Sequence, residues 1–176
     1  MRIHTANLVF LHFIYTMNYQ IRKIRLSDNP FIAKVIRNVF HELDAPKEGT
    51  AYADPILDSL FEEYQIPQTV YFVVEVDGEI CGGAGIGILD TNDPTICELQ
   101  KMYFAPKIRG KGIAYELIQL CLRFAKQAGY TYCYIETLPF MKAAQQLYSK
   151  SGFDYIDEPL GATGHISCDV FMLKKL

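Results

Sequence analysis

A short basic turn, residues 107–112, stands between an apolar strand pattern and an amphipathic helix pattern. Its sequence, K-I-R-G-K-G, combines three cations with two glycines. Glycine lets the backbone approach a ligand closely, and the first turn of a helix presents unpaired N–H groups at the positive end of its dipole. Residues 109–114 therefore suit a pyrophosphate. A Walker phosphate loop needs G-x-x-x-x-G-K-S/T, but Lys111 is followed here by Gly112, so that motif is absent.

The composition limits the partners of such a site. The chain has 176 residues, 50% of them hydrophobic and 21% charged, which is typical of one globular domain. A net charge of −3 argues against non-specific binding of nucleic acid, which needs a basic field. The cationic turn is therefore a local feature of an otherwise slightly acidic protein.

The five cysteines and four histidines show no metal-binding spacing. No C-x-x-C occurs and the histidines are scattered, so the sequence predicts no metal site. Isolated cysteines in apolar surroundings are typical of reduced core thiols in a cytosolic protein. We therefore expect a cytoplasmic protein without a catalytic cysteine.

Residues 1–16 form an apolar stretch that is too short to span a bilayer and lacks the A-x-A cleavage site of a signal peptide. We interpret this stretch as an extension ahead of Met17 and expect one domain over residues 17–176, with no membrane partner. A protein tethered to a membrane through residues 1–16 is the alternative.

Hydrophobic periodicity predicts the order β-α-α-β-β-β-α-β-α-β-β. Ser27 and Asp54 are expected as the N-caps of the first two helices, and Asp77-Gly78 predicts a hairpin. Four glycines in the second arm of this hairpin predict bulges or a close approach. We expect strands at residues 19–26, 70–76, 79–89, 96–104, 131–137, 153–156 and 167–173, and helices at 28–42, 55–64, 113–128 and 140–150. The strand–helix–strand unit 98–137 predicts a parallel crossover, hence an α/β fold with one mixed sheet flanked by about four helices.

The flanks of the basic turn carry a family resemblance. Arg109-x-x-Gly112-x-Ala114 fits the pattern Q/R-x-x-G-x-G/A, and an apolar strand ending in Phe104-Ala105-Pro106 precedes it. The later helix ends in A-x-x-x-Y-x-x-x-G-F, which contributes Ala144, Tyr148, Gly152 and Phe153. Over residues 96–153 the chain thus resembles the GNAT superfamily of acetyl-CoA-dependent N-acetyltransferases.

The resemblance implies a GNAT-like fold and acetyl-CoA as co-substrate. The strand carrying Met102, Tyr103 and Phe104 would splay from its neighbour and pair its backbone with the pantetheine amides. A backbone N–H there would face the thioester carbonyl as an oxyanion hole. The expected pyrophosphate cradle is Arg109, Gly110, Lys111, Gly112, Ile113 and Ala114.

The resemblance also implies a general acid. Tyr148 matches the tyrosine that protonates the leaving thiolate in many members, and a phenol pKa near 10 lies above that of a thiol at about 8.5. An aromatic on the core face of the helix is the structural alternative. The chain departs from the family at Met141, where many members carry an Asn whose amide contacts the cofactor, a hydrogen bond that Met cannot make.

Two carboxylates are candidates for the base that deprotonates the amine. Glu98 and Glu136 match positions where different members carry a catalytic Glu, and each lies in an apolar strand where desolvation raises a carboxyl pKa. Each also has a structural interpretation, because Glu98 could pair with Lys101 and Glu136 could simply face the sheet surface. We favour Glu98.

The acceptor side is expected from residues 40–66 and the loop 157–168. The first stretch is acidic, which suits a cationic amine but also a solvated helix face. The loop carries His165, which either contacts the substrate or is simply a polar residue at the protein surface. The expected reaction is direct acetyl transfer to a primary amine of a small molecule or peptide. A non-catalytic acyl-CoA-binding or regulatory module is the alternative, the acceptor is unidentified, and a homodimer is left open.

Overall fold

The computed structural model describes residues 17–176, so the predictions about residues 1–16 lie outside the described residues. The strands are β1 (Tyr19–Lys23), β2 (Val70–Val76), β3 (Glu79–Ile88), β4 (Ile96–Phe104), β5 (Tyr132–Thr137), β6 (Asp154–Ile156) and β7 (Val170–Lys175). The α-helices are α1 (Asn29–Glu42), α2 (Leu60–Glu63), α3 (Ile113–Gln127) and α4 (Lys142–Lys150). Within residues 17–176, no helix has the length and the apolar character to cross a bilayer.

The strands form one mixed sheet in the order β1-β2-β3-β4-β5-β7-β6. Strands β1 to β4 pair antiparallel, β4 and β5 pair parallel, and β7 pairs antiparallel with both β5 and β6. The predicted order, the hairpin at Asp77-Gly78 and the parallel crossover through α3 are confirmed. The crossover brings the ends of β4 and β5 together with the start of α3.

Helices cover both faces of the sheet. Because successive side chains of a strand alternate between the faces, Tyr71 packs with α1 and α2 on one side, whereas Val74 packs with α3 on the other. The apolar stripe of α1, with Ile32 and Ile36, is fully buried. Each fully buried aliphatic side chain contributes roughly 1.5–3 kcal/mol, so these stripes fix the helices against the sheet.

The glycines of β3 make room for side chains that cross the sheet. A Cβ at Gly83 would lie 2.6 Å from the ring of Tyr71, and one at Gly85 would lie 2.8 Å from the ring of Tyr64. A Cβ at Gly87 would collide with the amide of Gln100. The predicted close approach to the β3 backbone is therefore made by the side chains of Tyr71, Tyr64 and Gln100.

Several boundary predictions are wrong. Asp28, and not Ser27, occupies the N-cap position of α1, but its side chain makes no capping hydrogen bond. Its carboxylate instead accepts hydrogen bonds from Arg22 Nη1 at 2.7 Å and Arg25 N at 2.7 Å. Residues 55–64 form a 3₁₀ turn, Pro55–Ser59, followed by the single turn of α2. Asp54 caps this segment as predicted, with Oδ1 accepting from Ile56 N at 3.1 Å. Helix α4 begins at Lys142 rather than 140, and the last strand spans Val170–Lys175 rather than 167–173.

Candidate active site

Strands β4 and β5 separate at the middle of the sheet. Their parallel pairing covers only three residue pairs, from Ile96↔Tyr132 to Glu98↔Tyr134. On the other side of β4, the register to β3 shifts between Gly85↔Gln100 and Gly83↔Tyr103, which is the mark of a bulge in β4. Lys101 lies in this bulge with φ of +50°, a left-handed conformation that bends the strand away from β5.

The separation opens a cleft of 370 Å³ between β4, the basic turn and α4. Of the residues predicted to bind the cofactor, seven line it: Met102, Tyr103, Phe104, Arg109, Gly110, Gly112 and Ala114. Two predicted residues do not line it. Ile113, the first residue of α3, is 2% exposed and packs in the core, whereas Lys111 is exposed to solvent.

The basic turn has the backbone of an anion site. Gly110 and Gly112 adopt φ values of +71° and +81°, where other residues are strained, and Gly112 is the N-cap of α3. Its carbonyl accepts the N–H groups of Tyr115 at 3.1 Å and Glu116 at 3.2 Å. The first N–H groups of α3 therefore point out of the helix toward the cleft.

The side chain of Arg109 is held by its neighbours. Its Nη1 and Nη2 donate to the two carboxylate oxygens of Glu42 at 2.6 and 2.9 Å, and its Nε donates to Phe104 O at 2.8 Å. Glu42 ends α1, 67 residues earlier in the chain. This fork ties the end of α1 to the cleft, a contact that the local motif around Arg109 did not predict.

Tyr148 lies on the inward face of α4 and is 4% exposed. Its ring packs edge-on against Phe153 with centroids 6.2 Å apart. Burial raises the pKa of its phenol above the ordinary value. The side chain borders the 370 Å³ cleft and also a smaller inner cavity of 60 Å³.

The start of α4 carries Met141, the residue at which the sequence departs from the family. Met141 stands at the N-cap position of α4, and its sulfur lies 3.7 Å from Thr137 Oγ1. The buried amide of Gln145 donates to Leu138 O at 3.1 Å and to Pro139 O at 3.1 Å, which holds the turn between β5 and α4. No motif had singled out Gln145.

Glu98 is buried at the point where β4 and β5 part. Its Oε2 accepts a hydrogen bond from Gln100 Nε2 at 2.6 Å, and Tyr64 OH donates to Gln100 Oε1 at 2.8 Å. Burial raises the pKa of Glu98 to about 7, with the hydrogen bond from Gln100 acting against the rise and the charge of Glu136 adding to it. The carboxyl therefore changes its charge near neutral pH.

Glu136 lies on the neighbouring strand and is more fully hydrogen-bonded. Its Oε1 accepts from Thr163 Oγ1 and lies 3.3 Å from His165 Nδ1. Its Oε2 accepts from Tyr134 OH at 3.1 Å. Three side chains thus already engage this carboxylate.

A buried ion pair completes the charged cluster. Lys101 Nζ lies 2.6 Å from Asp54 Oδ2, and the lysine side chain is only 3% exposed. Burial opposes the ionisation of Asp54, but His165 and Lys101 outweigh it and hold the pKa of this carboxyl well below its usual range. Asp54 first and Glu136 second raise the pKa of His165 to about 9.

The inner cavity shares lining residues with the cleft and with an acidic pocket of 270 Å³. Glu98, Gln100, Lys101 and His165 border both the pocket and the inner cavity, whereas Met102, Tyr103, Met141, Ala144 and Tyr148 border both the inner cavity and the cleft. Asp54, Glu63 and Asp90 also line the acidic pocket. The inner cavity therefore brings Glu98, which also borders the acidic pocket, and Tyr148, which also borders the cleft, into one lining.

One group of side chains in this region has ligand atoms close enough to hold a metal ion. One atom each of Glu98, Glu136 and His165 lies within 4.8 Å of the others. Gln100 and Thr163 already hydrogen-bond to the two carboxylates, and Asp54 lies beside the imidazole. We interpret the group as a hydrogen-bonded acid–base cluster.

The cleft, the glycine turn and the splayed strands define a class of protein. The profile of the acetyltransferase (GNAT) family matches residues 36–153. The chain belongs to this family, and the prediction of a GNAT-type acyltransferase is confirmed.

Relatives and solved structures agree with this assignment. N-acetyltransferase YjgM of Escherichia coli (strain K12), itself uncharacterized, is 49% identical over 157 residues, which cover 88% of this chain and 93% of that protein. A GNAT acetyltransferase from Staphylococcus aureus Mu50 has the same fold, with a TM-score of 0.80 and 20% identity over 90% of this chain and 99% of that one. The yncA protein of Salmonella typhimurium, solved with its cofactor acetyl-CoA, has a TM-score of 0.72 and 19% identity over 90% of this chain and 94% of that one. The predicted fold is confirmed.

Proposed function

We propose that the protein transfers the acetyl group of acetyl-CoA to a primary amine by direct attack in a ternary complex. Acetyl-CoA as the donor follows from membership of the GNAT family. The observation that carries the rest is the inner cavity, since it is bordered by Glu98 and Tyr148 and shares lining residues with both the cleft and the acidic pocket.

The donor occupies the 370 Å³ cleft in this proposal. The pyrophosphate lies on the N–H groups of residues 109–114, where the helix dipole of α3 favours an anion. The pantetheine runs along Met102, Tyr103 and Phe104, whose backbone has no β5 partner in the described register. A β4 N–H then faces the thioester carbonyl and stabilises the charge that develops on its oxygen.

Glu98 takes the proton from the incoming ammonium group. A base is most effective when its pKa lies near the working pH, and the pKa of Glu98 is raised to about 7. Glu136 is the second candidate, but Thr163, Tyr134 and His165 already use its oxygens. Glu98 has one hydrogen-bond donor, Gln100, and borders both the pocket and the inner cavity.

Tyr148 completes the reaction by giving its proton to the CoA thiolate. After the neutral amine attacks the carbonyl carbon, the tetrahedral intermediate collapses, the carbon–sulfur bond breaks and the sulfur leaves as a thiolate. The nitrogen, which became positively charged in the attack, loses its extra proton to the phenolate of Tyr148, so that the amide, the free thiol and the neutral phenol are left. The phenol is protonated at neutral pH, but its pKa lies above that of a thiol, so the transfer is uphill by itself and is completed when the proton lost by the acetylated nitrogen restores the phenol.

The acceptor enters through the acidic pocket. The carboxylates of Asp54, Glu63 and Asp90 line this pocket, and they attract a group that arrives as an ammonium ion. We also expect the protein to act in the cytoplasm, in keeping with its five free cysteines. Sedimentation of the full chain decides between a monomer and the homodimer that we left open.

Calorimetry with acetyl-CoA, followed by a thiol-release assay over a panel of amines, tests the proposal. We expect saturable binding of acetyl-CoA and release of CoA that depends on one class of amine. Without saturable binding, both the donor and the enzyme would be wrong. Binding without transfer to any amine of the panel would favour a non-catalytic acyl-CoA-binding module.

A further inference from the structure

The loop between β6 and β7, residues 157–169, carries a histidine into the charged cluster. His165 N donates to Thr163 Oγ1 at 3.2 Å, and Cys168 N donates to His165 O at 2.9 Å, so the loop folds tightly around this residue. Ser167 Oγ donates to Glu48 O at 3.1 Å, which anchors the loop to the segment after α1. The imidazole consequently borders both the acidic pocket and the inner cavity.

The imidazole lies between carboxylates. Its Nδ1 is 3.3 Å from Glu136 Oε1 and its Nε2 is 3.9 Å from Asp54 Oδ2. One ring nitrogen, one Glu136 oxygen and one Glu98 oxygen lie within 4.8 Å of one another. Two glutamates on adjacent strands therefore share their space with a single cation from the loop.

The groups around Glu98 come from four elements. Gln100 and Lys101 lie on β4, Tyr134 and Glu136 on β5, Asp54 and Tyr64 at the two ends of the segment that contains α2, and His165 and Cys168 on the loop. Of the two cations among them, Lys101 is paired with Asp54 at 2.6 Å. His165 is the cation that lies between the two glutamates.

We propose that His165 is a positioning residue whose imidazolium, brought by the β6–β7 loop, keeps Glu98 ionised next to Glu136 and thereby sets the strength of the base. The consequence for catalysis rests on the proposed function, in which Glu98 is the base. The effect of His165 on the pKa of Glu98 can be measured without any substrate.

The charges on the two residues support this arrangement. Asp54 and Glu136 raise the pKa of His165 to about 9, whereas the pKa of Glu98 is about 7. The imidazolium is therefore still present over the pH range in which Glu98 loses its proton. A histidine that keeps its proton at neutral pH is also a poor base, so an electrostatic role suits it better than proton abstraction.

Removal of the cation would leave two carboxylates close together. A nearby like charge raises the pKa of a carboxyl. The loss of a close cation raises it as well, by about 1–3 units. His165→Asn removes the charge, while His165→Lys keeps a cation on the same loop. The two variants therefore separate the charge from the packing of the side chain.

The first measurement is the titration of Glu98 by NMR in protein labelled with 13C at the glutamate carboxyl groups, with the signal assigned from Glu98→Gln. We expect the apparent pKa of Glu98 to rise by about one unit or more in His165→Asn and to return toward its original value in His165→Lys. An unchanged pKa in His165→Asn would overturn the inference. Titration of the histidine ring in the unmodified protein needs no variant, and a His165 that loses its proton below Glu98 would overturn it equally.

The second measurement separates this inference from the proposed function. The acid limb of kcat/KM should move to higher pH in His165→Asn by the same amount as the NMR pKa of Glu98, with acetyl-CoA affinity unchanged. A change in the NMR pKa without a change in the acid limb would overturn the role of Glu98 as base. Loss of activity in Glu98→Gln with an unmoved NMR pKa in His165→Asn would keep the base and overturn the role of His165.

Discussion

The 370 Å³ cleft and the acidic pocket both share residues with the inner cavity but are built in different ways. The cleft is lined mostly by residues of two stretches, 102–112 with Ala114 and 140–148, to which Val39 and Leu43 are added, and its wall is mainly apolar apart from backbone N–H groups, Arg109 and Lys142. The pocket is made of single charged residues from four distant segments, among them Asp54, Lys101 and His165. In the proposed function, backbone geometry therefore defines the donor side, which is the cleft, whereas paired charges define the acceptor side, which is the acidic pocket.

This difference has a physical reason. The donor of the family is constant, and N–H groups at a helix start bind its pyrophosphate without a particular side chain. The acceptor must be recognised by its own charge and shape, so its pocket depends on side chains that long-range folding brings together. Substitutions on the two sides should accordingly change different quantities, namely turnover and stability on the acceptor side and cofactor affinity on the donor side, with the exception of Tyr148, which borders both the cleft and the inner cavity and should affect turnover.

The largest effect is expected for Glu98→Gln. Loss of the base should lower kcat about 100-fold to 10,000-fold, the usual range for acid–base catalysis, while acetyl-CoA affinity measured by calorimetry stays the same. Glu136→Gln is the matched comparison, and it should lower kcat less because Glu136 is held by Thr163, Tyr134 and His165. A greater loss in Glu136→Gln would exchange the roles of the two carboxylates.

Lys101→Met should have the largest effect on stability. The substitution removes the nearer cation of Asp54, whose side chain is 16% exposed, and leaves only His165 at 3.9 Å. Removal of one partner of a fully buried ion pair destabilises a protein by about 3–5 kcal/mol, which is the upper bound here. Urea denaturation measures the change in the free energy of unfolding. Arg37→Met is the control, because its bridge to Asp58 is exposed and such pairs contribute about 0–1 kcal/mol. Equal losses in the two variants would mean that the pocket does not depend on the buried pair.

The same difference explains what could be predicted from the sequence. The cleft residues could be predicted because their motif, R-x-x-G-x-A, is local in the sequence and because Gly110 and Gly112 adopt positive φ values that favour glycine. Glu98 was singled out because the family resemblance implies a catalytic Glu at its position and because a carboxyl within an apolar strand is unusual. The fork between Arg109 and Glu42, the pair of Lys101 with Asp54, and the contact of Thr163 with Glu136 join residues far apart in the chain. No periodicity records such contacts, so the network appears only in the folded protein.

The pH dependence of kcat/KM should show whether the ionisation of Glu98 controls the rate. Glu98 must be ionised to accept a proton and its pKa is raised to about 7. The rate should therefore be low in acid, rise with pH through about 7 and fall about tenfold for each unit below that value. The same limb should be missing from the residual activity of Glu98→Gln. A limb that stays near pH 7 in this variant would assign it to another group.

Tyr148→Phe should have a smaller effect on turnover than loss of the base. A thiolate is a good leaving group with a pKa near 8.5, so loss of its proton donor should lower kcat about tenfold to 100-fold, at or below the usual range. Affinity for acetyl-CoA should hardly change, because the ring still packs on Phe153. Tyr130→Phe is the control, since the Tyr130 hydroxyl is buried without a hydrogen-bond partner in residues 17–176. Equal turnover in the two variants would remove Tyr148 from the mechanism.

The smallest effect is expected on the donor side, for Glu42→Gln. The substitution releases the guanidinium of Arg109 from a half-exposed ion pair, and such pairs are worth about 0.2–1 kcal/mol. Because the freed cation can then face the phosphates of the donor, acetyl-CoA should bind about 1.5-fold to fivefold more tightly.

Calorimetry at two salt concentrations measures this gain, which should shrink as ionic strength rises. Glu79→Gln is the matched control, because it releases Lys107, which belongs to the same basic turn but does not line the cleft. Weaker binding in Glu42→Gln would show that Glu42 aims Arg109 at the donor instead of restraining it. The donor side would then depend on a long-range charge pair as the acceptor side does, and the contrast between the two sides would be lost at this residue.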